Sequence, residues 1–120
     1  MNESILDTIK KMLGGLDSED DGYFDTDIIV HINTAFDVLH QLGLGPDEGF
    51  FIEDNSSKWS DFSTNGKLIN MAKTYIYLLV RKTFDPPSNG FVMDAINKDL
   101  DEYEWRLNVL ANEAHNYTNQ

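Results

Sequence analysis

Two adjacent prolines, Pro86 and Pro87, constrain this chain more than any other feature. Each fixes its own φ, and together they push Asp85 out of the α region, so a helix arriving from the N-terminal side must end at a rigid corner. Ser88 then offers a hydroxyl to cap the free N–H groups of a following helix. The flanking sequence supplies both helices. Upstream, Leu68, Ala72, Tyr75, Ile76, Leu79, Val80 and Thr83 recur at helical spacing, and Ile69, Met71, Tyr77 and Leu78 make the segment apolar almost all round. A helix without a polar face is either central or shared with a neighbouring subunit. Downstream, from about Ser88 to Asn112, one side carries Val92, Ala95 or Ile96, Asp99 or Leu100, Tyr103, Leu107 and Leu110. Asp94, Lys98, Glu102 and Arg106 follow one another at i, i+4 with alternating sign, which marks an outward face.

The N-terminal half adds two more predicted helices. Ile5, Ile9, Met12 and Leu13 form one stripe, stopped by Gly14-Gly15. A second begins near Asp25-Thr26-Asp27, whose short oxygens can cap it and whose charges suit its positive end. Its core face is Ile28, Ile29, Ile32, Ala35, Phe36, Leu39 and Leu42. Gly43 can take the left-handed conformation that ends it, with Leu44 folding back toward Leu39, and Gly45-Pro46 blocks continuation. Periodicity then fails over residues 47–65. There Phe50-Phe51-Ile52 can form a short strand paired with residues around Lys58-Trp59. This excursion carries Phe51, Trp59 and Phe62, which either anchor a protein interface or fold back as a lid on the bundle. The expected fold is all-α: a compact bundle of about four helices with an irregular or short β-hairpin insertion between the second and third. Residues 1–112 make one domain, and the polar, aperiodic residues 113–120 a mobile tail.

A length of 120 residues suits a single domain burying roughly two thirds of its unfolded surface. Hydrophobic residues at 41% argue against intrinsic disorder. With no cysteine, disulfides and thiolate chemistry are excluded, and the chain fits a reducing cytoplasm or a particle assembled in one. The start Met1-Asn2-Glu3-Ser4 lacks the regions of a signal peptide, and no long apolar run predicts a membrane span. A net charge of -12 repels the phosphate backbone. Lys10-Lys11 and Arg81-Lys82 are too small to reverse that and instead suit helix C-terminal ends.

No catalytic or cofactor motif emerges. Asp17, Glu19, Asp21 and Gly22 match the first, third, fifth and sixth positions of an EF-hand loop, but Ile28 stands where the closing bidentate carboxylate belongs. Asp27 with His31, and Asp37 with His40, put pairs of possible ligands on one helix face, too few for structural zinc. The nucleotide-binding, hydrolase and zincin signatures do not occur, so no cofactor, no metal and no enzymatic activity are expected.

Arg81, Phe84-Asp85-Pro86-Pro87, Phe91-Val92 and Glu104-Trp105-Arg106-Leu107-Asn108-Val109 resemble the C-terminal half of head-tail connector (adaptor) proteins of long-tailed bacteriophages. Ile9-Lys10-Lys11-Met12-Leu13-Gly14, Phe24 through Asn33, Gln41 through Pro46 and Trp59-Ser60-Asp61-Phe62 extend the similarity over about residues 5–109. The resemblance implies a structural virion protein at the head-tail interface, assembled in the host cytoplasm. It further implies a homo-oligomeric ring of roughly a dozen copies under the portal protein, extending the DNA channel toward a stopper or tail-completion protein. Interface candidates are Phe51, Trp59, Phe62, Tyr77, Glu113, His115 and Tyr117, the last three because related connectors engage the portal through their C-terminal region. The charge alone supports an alternative, an acidic inhibitor or DNA mimic occupying the basic groove of a nucleic-acid enzyme.

Overall fold

In the computed structural model, which describes residues 2–14 and 22–118 with side chains through Glu113, the fold is all-α. Helix α1 spans Ile5–Met12 and opens with Ser4, whose hydroxyl accepts from Asp7 N at 3.2 Å. Its buried face is Ile5, Leu6, Ile9 and the stem of Lys10, while Met12, expected inside, is 39% exposed. The stripe is thus rotated toward Leu6. On that face Leu6 takes an apolar place in the core, and Lys10 Nζ lies 2.7 Å from Asp25 Oδ1 at the start of the next helix.

Helix α2 spans Asp25–Gln41 and buries Ile28, Ile32, Ala35, Phe36 and Leu39. Phe24 occupies its N-cap and makes no side-chain hydrogen bond there, so the expected side-chain capping by Asp25, Thr26 or Asp27 does not occur. The stop is as expected. Gly43 has φ 91°, Leu44 N donates to Leu39 O and Gly43 N to His40 O, both at 2.9 Å, the paired bonds of a Schellman motif. Two residues on, Gly45 has φ 87°, and a Cβ there would come within 2.7 Å of the Phe62 ring. Only glycine lets the chain turn so close to that aromatic.

The expected hairpin is absent. Ile52 turns into the core, and its backbone is held by the Asn33 side chain: Ile52 N donates to Oδ1 at 2.8 Å, and Nδ2 donates to Ile52 O at 3.0 Å. Lys58 pairs instead with Ser4, in the one isolated bridge among the described residues. Ile5 N donates to Ser57 O and Trp59 N to Glu3 O, so the end of the excursion pairs with the N-terminus. Between them Asp54 accepts from Ser56 N at 2.8 Å, an Asx turn that bends the chain without joining two strands. A single turn, α3 (Trp59–Phe62), follows, with Asp61 accepting from Lys58 N.

Helix α4 spans Gly66–Phe84, capped by Asn65, which accepts from Lys67 N and Leu68 N. It packs against α1, α2 and the last helix, so it is central, one of the two alternatives its all-round apolarity leaves open. The antiparallel α2 lies on one flank, where Phe24 meets Phe84 edge-on at 5.6 Å. Helix α5, Gly90–Thr118, lies on the other. Between them the corner forms at Asp85, whose carbonyl accepts from Arg81 Nε at 2.8 Å. Asn89, rather than Ser88, caps α5, accepting from Phe91 N at 2.8 Å. The helix continues to Thr118, beyond the expected end at Asn112.

Candidate interface surfaces

The aromatic excursion sorts its residues by burial. Trp59 and Phe62 are fully in the core, the lid outcome. Trp59 donates from Nε1 to Thr8 Oγ1 at 3.1 Å, and Lys73 Nζ stands 5.6 Å over its ring. Phe36, Phe50 and Phe62 form a triangle of tilted rings with centroids 4.8 to 5.6 Å apart. Phe51 points the other way and is 65% exposed. Tyr77 is half-buried against the core, and Glu113 is exposed on α5. The side chains of His115 and Tyr117 lie outside the described residues, as does the acidic loop at residues 17–21.

Two large exposed residues on α5 were not singled out as interface positions. Phe91 is 87% and Trp105 67% exposed, on the face opposite Ile96, Leu100 and Leu107. Fourteen residues is about four turns, so they share one side. Their signal was available: neither fits the apolar stripe, and an aromatic outside the stripe of an amphipathic helix points to water. Beside Trp105, a groove of about 430 Å³ runs between the first half of α4 and the second half of α5, lined by Lys67, Met71, Tyr103, Arg106 and Leu110 among others. Arg106 Nη2 donates to Glu102 at 2.8 Å, one rung of the expected charge ladder, and lies 5.7 Å over Tyr103. Nearby, burial pushes the Tyr75 hydroxyl well above its ordinary value of 10.0, and the charge of Glu104 together with its hydrogen bond adds to this.

Each candidate ligand pair stays together, Asp27 with His31 in one groove and Asp37 with His40 in another. His31 stands 6.5 Å from the Phe84 ring in a groove with Leu13, Phe24 and Asp27. His40 Nε2 is 3.0 Å from Asp47 O. Among the described residues no three His, Cys, Asp or Glu converge as a metal site, and no helix is long and apolar enough to cross a membrane.

The fold thus sets a central helix between two others and leaves the large aromatics Phe51, Phe91 and Trp105 exposed. Comparison with protein families supplies the decisive observation: residues 5–114 match the model of the phage connector proteins. The chain belongs to the phage connector protein family. No curated protein and no solved structure matches the connector. Its family is a structural one, and the matched region takes in all of α1 to α4 and most of α5, so the exposed aromatics of the connector all lie within it.

Proposed function

We propose that this connector is a ring-forming virion component, seated beneath the portal of the filled capsid and extending the DNA channel toward the stopper and tail. The family match over residues 5–114 carries the reading. The surfaces support it. Phe51, Phe91 and Trp105 stay in water in a lone chain, and burying such a side chain stabilises by about 1.5–3 kcal/mol. A closed ring needs one surface of a subunit to meet a different surface of the next, which apolar residues on both flanks of α4 provide. Phe51 and Tyr77 serve contacts between copies, with Trp59 and Phe62 acting from beneath by holding the loop. Glu113, His115 and Tyr117 belong to the end of α5 that docks on the portal. A net charge of -12 lets DNA slide through such a ring without adhering, because each phosphate meets like charge. Negative-stain imaging of the purified connector, alone and mixed with its portal, tests this: rings stacked on portals are expected, and connectors that never join a portal would overturn the reading.

A further inference from the structure

Phe51 is exposed, yet its backbone is not free. Asn33 grips Ile52 through two hydrogen bonds, and Phe50 is wedged between Phe36 and Phe62. An aromatic ring displayed on a held backbone loses little further freedom when a partner covers it. The surroundings carry one sign. Asp37 and Glu48 line one pocket with Phe51, Glu53 and Asp54 follow it exposed, and the nearest cation in sequence is Lys58.

The groove beside Trp105 on the opposite flank of α4 has the complementary character. Met71, Tyr103 and Leu110 give it apolar walls, and its volume of about 430 Å³ admits an aromatic side chain. Its charged lining is Lys67, Glu113 and Arg106, the last already paired with Glu102, so Lys67 is the cation it leaves for a partner. Lys67 makes no ion pair among the described residues, and the Arg106–Glu102 pair is half exposed, where water screens it. Two copies that each carry -12 repel, so a contact between them is favoured where the local signs differ.

We infer that the Phe51 surface of one copy seats in the α4–α5 groove of the next, with its flanking carboxylates facing Lys67. Because the two surfaces differ and lie on opposite flanks of α4, the contact repeats head to tail. The inference rests on the reading of the connector as a ring component and names the surfaces that join.

The absence of cysteine makes a clean test possible. Glu53→Cys is placed in one chain and Asn70→Cys in another; both native residues are exposed, and Phe51 and Trp105 stay intact. Mixed and treated with a short flexible bismaleimide, the two chains should give a heterodimer roughly tenfold or more in excess of either homodimer. Adding Phe51→Ala to the first chain or Lys67→Glu to the second should lower that yield by roughly tenfold. Statistical proportions of the three dimers, or a yield unchanged by Phe51→Ala, would overturn the pairing. Rings on the portal with statistical cross-linking would leave the connector role standing without this contact, whereas specific cross-linking without portal binding would do the reverse.

Discussion

Asn33 does the work of a strand with one side chain. It sits among the outward polar residues of α2, yet its amide supplies both a donor and an acceptor to Ile52, 19 residues away in sequence. Asn33→Ala leaves two backbone groups unmet beside the core and should destabilise by about 1–3 kcal/mol, read from urea midpoints. An unchanged midpoint would show that water replaces the amide. Trp59 is the larger anchor: buried and bonded to Thr8 from 51 residues away, it should cost about 3–5 kcal/mol when replaced by Ala. Tyr75 adds a pH dependence. Its hydroxyl is held protonated in the folded chain beyond its ordinary value of 10.0, so above about pH 10 the unfolded chain releases the proton first. Stability should therefore be fully present below that pH and fall as pH rises toward the folded value. Tyr75→Phe should flatten that decline; an equal slope in both proteins would assign it to other groups.

At the scale of elements, the end of α5, the proposed docking segment, can be removed without touching the packed core. Ala111 is the last described residue buried in the core, so truncation after Asn112 should leave thermal stability within a few degrees while abolishing portal binding. Unchanged portal binding by the truncated chain would move the docking surface to the helices. How legible the elements were follows from which forces are local. The stop at Gly43 and the corner at Pro86-Pro87 were readable because φ preferences act within two or three residues. Central α4 was readable as one of two alternatives from its apolar surround. Of the two forms expected for the insertion the irregular one holds: Phe50-Phe51-Ile52 is an apolar run that could pass for a short strand, while its real partners, the Asn33 amide and the Phe36 ring, lie far off in sequence. Likewise α1 carries Lys10 to a contact with Asp25 across the start of α2, which no helical period encodes. Of the large exposed aromatics, Phe51 stands out in the sequence because it lies where periodicity fails, while Phe91 and Trp105 are recognisable only as aromatics off the stripe of α5.

For the whole molecule, the arrangement of cations matters more than their number. Of nine Lys and Arg, Lys10 is tied to Asp25, Arg81 to Asp85 and Arg106 to Glu102, while Lys73 lies over Trp59 and 3.8 Å from Glu3. The others, Lys11, Lys58, Lys67, Lys82 and Lys98, are spread along α1, the turn before α3, α4 and α5. Phosphate binding needs several cations along one track, since each contact adds about one counterion to the salt dependence. Here the surrounding field has the wrong sign, and at about 0.1 M salt charges more than about 10 Å apart no longer reinforce one another. Purified connector should therefore leave duplex DNA unretarded in gel-shift experiments even near 50 mM salt, alone and as rings on the portal. Retardation that weakens steeply with added salt would reveal a basic track created by assembly. A channel built from these subunits would then grip DNA rather than pass it.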